Sequence, residues 1–127
     1  MKKVKELTKA EEEVMFILWE IGKGFVKDIV DKFEEPKPAY NTVSTIIRIL
    51  EKKEIVGHNS YGKTYEYYPL ISKEEYSKFS LKNLVSNYFS NSYKHLVSFF
   101  AEKENLSVEE LEELKLQLDR FIKERGK

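Results

Sequence analysis

The chain has 127 residues, 22 basic and 22 acidic side chains, two histidines and no cysteine. A length of this order suits one domain, or two small ones, with enough buried surface to need no covalent staples. The missing cysteine removes disulfide frameworks, thiolate metal sites and cysteine nucleophiles, and a net charge of zero confines any electrostatic footprint for nucleic acid to a local patch.

In chain order, Thr8 and Glu11 form the first of three Ser/Thr-x-x-Glu capping boxes and open a helix with Val14, Ile17, Leu18 and Ile21 at helical spacing, ending near Gly22. Gly24-Phe25-Val26 reads as a brief strand, and Lys27 to Phe33 as a short second helix before Pro36 and Pro38 break the chain. Tyr40 to Lys53 reads as a third helix. Val43, Ile46, Ile47 and Leu50 form its buried stripe, and Asn41, Ser44, Thr45, Arg48 and Lys52 share the opposite face. Two β-rich runs, Ile55–Asn59 and Thr64–Tyr68, then make a hairpin around Ser60-Tyr61-Gly62-Lys63, closed by Pro69.

From Ser72, where Ser72/Glu75 makes the second capping box, the chain is helical. Tyr76, Phe79, Leu84, Tyr88 and Phe89 stud one segment, and Leu96, Val97, Phe99 and Phe100 a second. A last helix, opened by Ser107/Glu110, carries Leu111, Leu114, Leu118 and Phe121 in alternating steps of a coiled-coil-like seam. Three helices without a sheet bury that stripe poorly in a monomer. The economical solution is a symmetric dimer, with Leu84, Tyr88, Leu96, Phe100, Leu111, Leu114, Leu118 and Phe121 at its interface. No run approaches a membrane span, and the charged start leads into no apolar core, so the expectation is a cytoplasmic protein without membrane insertion.

Three helices followed by a hairpin, with a polar outer face on the third helix, make the winged helix-turn-helix pattern. The fold expected is mainly α with a small β-hairpin wing: a winged DNA-binding domain over residues 1–70 and a helical dimerisation region over 71–127. A helix enters the major groove, where short polar side chains and arginine reach base edges; Lys63, Thr64 and Tyr61 of the hairpin would meet phosphates. Between Pro36 and Thr64, Lys37, Arg48, Lys52, Lys53 and Lys63 face only Glu51 and Glu54, a local excess of +3. The alternative from pattern alone is a winged helix used only for protein contacts, without DNA.

The acidic runs fit solvated helix faces, and no glycine-rich phosphate loop or histidine-activated nucleophile is evident, so no catalysis is expected. His58 and His95 lie far apart without a third ligand, so no metal or other cofactor is expected either.

Several runs together resemble the BlaI/MecI family of penicillinase repressors. They are Leu7-Thr8-Lys9-Ala10-Glu11 through Leu18-Trp19, Tyr40-Asn41-Thr42-Val43-Ser44-Thr45 through Leu50-Glu51-Lys52-Lys53, Gly62-Lys63-Thr64-Tyr65 through Tyr68-Pro69, and Phe100-Ala101-Glu102-Lys103-Glu104-Asn105-Leu106-Ser107 with Glu109 to Leu114. The resemblance spans nearly the whole chain. It implies a homodimeric repressor that binds a double-stranded, inverted-repeat operator in promoters of resistance or stress genes. Tyr40 to Lys53 would be its recognition helix, with Asn41, Thr42, Ser44, Thr45 and Arg48 facing DNA and Thr42 near a phosphate. Tyr40 and Lys52 complete the expected contact set at the two ends of that helix.

Two departures accompany the resemblance. Glu54 stands where many relatives end the recognition helix with glycine, so the turn into the hairpin is expected to differ. Antibiotic-responsive relatives are cleaved at an Asn–Phe bond, downstream of a membrane sensor protease; the matching bond here is Phe99–Phe100, with phenylalanine in place of asparagine. A copper-responsive branch of the superfamily uses a C-terminal cysteine cluster, which this chain lacks.

Overall fold

The computed structural model describes residues 6–126; the charged start, read above as no secretion signal, falls largely in residues 1–5, outside them. Helix α1 spans Lys9–Ile21. Thr8 Oγ1 accepts from the Glu11 amide at 3.2 Å, and Glu11 Oε1 accepts from the Thr8 amide at 2.9 Å, closing the predicted box. Val14, Met15 and Leu18 are fully buried, and Gly22 ends the helix with φ +84°. The expected strand at Gly24-Phe25-Val26 is reduced to a single bridge between Gly24 and Tyr67, because Val26 already opens α2 (Val26–Lys32). Lys37 Nζ donates to the carbonyls of Asp31 and Phe33, each at 2.7 Å, and so closes the C-terminal end of α2.

Helix α3 spans Tyr40–Lys52, with Lys53 as its cap. Val43, Ile47 and Leu50 are fully buried and Ile46 is half-buried, which is the expected stripe. The hairpin follows, with β1 (Val56–Tyr61) and β2 (Thr64–Pro69) antiparallel and Tyr61 opposite Thr64. The expected four-residue connection is thus a two-residue turn at Gly62-Lys63. Gly62 takes φ +63° at its first position, as short hairpin turns require.

Between α3 and β1 the chain makes a left-handed turn at Glu54. Glu54 has φ +64°; the Ile55 amide donates to Leu50 O and the Glu54 amide to Glu51 O, both at 3.0 Å, a Schellman motif. The left-handed conformation thus falls on a residue with a Cβ, and the cost is carried by the Glu54 backbone. Glu54→Gly is expected to raise the unfolding free energy by about 1 kcal/mol in denaturant titration, without altering the fold.

Glu11 has a second role. Its side chain is almost wholly buried and receives Lys53 Nζ at 2.8 and 3.0 Å, tying the start of α1 to the end of α3. Burial alone would raise the carboxyl pKa. The Lys53 ammonium and the Thr8 amide and hydroxyl outweigh it and hold the group below its ordinary value. A carboxylate with a lowered folded-state pKa contributes stability that is complete above its unfolded-state pKa, about 4.3, and is lost as pH falls through the folded value. Acid titration of stability should therefore show a loss below about pH 5. Glu11→Gln should flatten that loss and cost about 2 kcal/mol at neutral pH.

The core extends past the hairpin. Trp19 Nε1 donates to Ile71 O at 2.9 Å, and the Trp19 ring lies 5.9 Å from that of Tyr76, the distance being between centroids. Tyr76 is buried in α4 (Lys73–Tyr88), accepts from the Leu7 amide at 3.1 Å and donates to Glu12 at 3.2 Å. Burial raises its phenol pKa. These bonds draw the first half of α4 into the winged unit. Compact units are Met1–Ser80 and Leu81–Lys127, against the 1–70 and 71–127 expected, the difference being the stretch that Tyr76 and Phe79 anchor.

The second unit contains the end of α4, α5 (Tyr93–Lys103) and α6 (Val108–Arg125). Both remaining predicted boxes form, at Ser72/Glu75 and Ser107/Glu110. Among the described residues of this unit only Val85 is fully buried, and neither α5 nor α6 buries a side chain.

Candidate nucleic-acid interface

The stripe that α3 turns into the core leaves its other side to water. Asn41, Thr42, Thr45, Arg48 and Lys52 are exposed and Ser44 is half-buried. Arg48 Nε rests on the Ser44 carbonyl at 3.3 Å, along its own helix, so its guanidinium is not tied to any distant element by that bond. Thr45 Oγ1 donates to Asn41 O at 2.9 Å.

Tyr40, Ser44 and Arg48 line a groove whose other wall is the wing, through Lys63, Thr64, Tyr65 and Tyr67. Its end is closed by Phe25, Val26, Lys27 and Asp28 at the start of α2. The groove thus brings together five predicted contact residues. Asn41, Thr42, Thr45 and Lys52 lie outside it on the open face of α3. Tyr61 stands at the wing tip with its ring 6.0 Å from that of Phe25, and Thr64 Oγ1 donates to Tyr61 O at 2.8 Å, which firms the tip.

The basic patch differs from the one counted in the sequence. Lys53 is spent on Glu11, and Lys37 on the end of α2. Arg48, Lys52 and Lys63 keep the cationic role, and Lys27 joins them from α2. Of the nearby carboxylates, Asp28 accepts from the Phe25 amide at 2.9 Å, and Glu51 is hydrogen-bonded to Nδ1 of His58. The His58 ring stacks on Tyr65 at 4.1 Å. His58 therefore faces α3 and joins the wing to it. Among the described residues there is no cluster of three or more His, Cys, Asp or Glu suited to a metal ion.

In the second unit, the predicted association residues Leu84, Tyr88, Leu111, Leu114, Leu118 and Phe121 are exposed, Tyr88 by 76% and Leu118 by 54%, while Leu96 and Phe100 are half-buried. Leu116 and Ile122 of α6 are also exposed and lie off the predicted seam. Phe99 and Phe100 lie inside α5, with the Phe99 ring edge-on to Phe89 at 5.2 Å. Among the described residues no helix is long and apolar enough to cross a membrane.

A three-helix unit with a hairpin wing and a solvent-facing third helix is a winged-helix domain, here in a chain of the transcription-repressor class. The penicillinase repressor family model matches residues 7–120, and the chain belongs to that family. It is 31% identical over 114 residues to the methicillin resistance regulatory protein MecI of Staphylococcus aureus (strain N315), covering 89% of this chain and 93% of that protein. It is 25% identical over 115 residues to the penicillinase repressor of Bacillus licheniformis, covering 90% of each. The solution structure of the DNA-binding domain of the repressor BlaI matches with a TM-score of 0.51 at 26% identity, over 60% of this chain and 94% of that one.

Proposed function

We propose that the chain is a cytoplasmic, homodimeric repressor without catalytic activity that binds an inverted-repeat operator, in keeping with the resistance or stress genes its family resemblance implies. Two α3 helices enter successive major grooves about one helical turn, or a multiple, apart, and occupancy excludes RNA polymerase. The observation that carries this reading is the groove where Tyr40, Ser44 and Arg48 of α3 meet Lys63 and Thr64 of the wing. A helix with short polar groups and an arginine faces base edges, while wing cations flank the phosphates. The likeness of the fold to the DNA-binding domain of BlaI supports it. The unburied faces of α5 and α6 support the second half of the proposal, association through the C-terminal unit. Relief by a membrane sensor protease at Phe99–Phe100 would require α5 to unwind locally, because both residues are helical.

Selection of bound duplexes from a random pool tests the reading. The expected result is a two-fold symmetric consensus whose affinity falls steeply with salt, as counterion release from several phosphates demands. Failure to enrich any sequence, with binding indifferent to salt, would favour a protein-interaction module instead.

A further inference from the structure

Ile49 is 42% exposed, although it lies in the last turn of α3, the helix that buries Val43, Ile47 and Leu50 in the core. Among the described residues it belongs neither to the buried core nor to the hydrophobic side chains packed against it. A β-branched side chain at an exposed helix position is a poor choice for helix stability, and it leaves apolar surface in water. At 3.6 residues per turn Ile49 follows Thr45 on the same face, one turn on, with Thr42 two turns back. Ser44 and Arg48 turn toward the wing; Thr42 and Ile49 form the opposite flank of the same solvent face.

Thr45 presents a less polar surface than its residue type implies. With Oγ1 donating to Asn41 O, the hydroxyl is spent on the helix backbone, and the γ-methyl is the unengaged part of the side chain. Thr45 and Ile49 together therefore present an aliphatic strip beside the polar and cationic positions Asn41, Arg48 and Lys52. In the major groove the one apolar group on a base edge is the 5-methyl of thymine. Resting on the DNA-binding reading above, we infer that Ile49, with the Thr45 methyl beside it, is a specificity-determining residue that reads a thymine 5-methyl group.

Deoxyuridine, which lacks only that methyl, supplies the test. The duplex preferred in selection from the random pool is synthesised with each thymine replaced singly by uracil. Its affinity is measured for the wild-type chain and for Ile49→Ala. At one thymine per half-site, uracil should weaken the wild type by roughly threefold to tenfold. For Ile49→Ala the thymine-to-uracil ratio at that position should collapse toward one. The ratio is taken within one protein preparation, so it is independent of the fraction folded. Wild-type indifference to uracil at every position overturns the inference while leaving DNA binding intact, as does an undiminished ratio in Ile49→Ala. A pool that yields no preferred duplex overturns both readings together.

Discussion

Glutamate at both Leu114 and Leu118 is expected to convert the proposed dimer to monomer and to lower affinity for a two-half-site duplex by about 10²–10⁴-fold, while leaving affinity for a single half-site nearly unchanged. The loss is one of effective concentration. Once the first winged unit is bound, the second is held near its own half-site, and that advantage vanishes when association is lost. Leu114 and Leu118 are exposed in α6 at 40% and 54%, so the substitutions should leave the winged unit's melting transition in place. Sedimentation velocity reads the association directly. A dimer that survives both charges would place the interface elsewhere, for instance on the Leu116 and Ile122 side of the same helix.

Loss of the Arg48 guanidinium should have the next largest effect. Arg48→Ala is expected to cost about 1–3 kcal/mol of binding per half-site, roughly fivefold to a hundredfold in affinity, and to relax preference at one base pair of each half-site. Arg48→Lys should recover only part of the loss, because an ammonium cannot make the two parallel hydrogen bonds a guanine edge accepts. Lys52→Ala and Lys63→Ala should behave differently. Each should weaken binding evenly across sequences and reduce the salt slope by about one per half-site, the signature of a phosphate contact. Equal affinity of Arg48→Ala and wild type for the selected duplex would remove the base-reading role.

Much of this architecture was legible because it is written in short-range patterns. The three capping boxes, the Val43/Ile47/Leu50 stripe and the Gly62 turn each need only residues a few positions apart, and each formed. Features set by distant pairing were not legible. Nothing in the local sequence says that Lys53 will turn inward to Glu11 while Lys52 faces water, so the count of +3 overstated the free cations of α3 and the wing. Tyr76 looked like one aromatic among several; its bonds to Leu7 and Glu12 join distant parts of the chain and carry the domain boundary from residue 70 into α4. Lys27 escaped notice for a similar reason, since only the fold brings the start of α2 to the groove. The Glu51–His58 pair likewise joins two elements whose separate patterns announced no partnership.

The left-handed turn at Glu54 bears on how such a repressor can change over generations. Glutamate and glycine codons differ at a single base, so relief of that backbone strain is one point mutation away. The residue is exposed and is neither a groove-lining position nor part of the α6 seam. A lineage under pressure to alter its operator preference, through costly substitutions on α3, therefore has a compensating step within immediate reach. That reserve would let the recognition surface explore new sequences without the winged unit falling below the stability it needs to function.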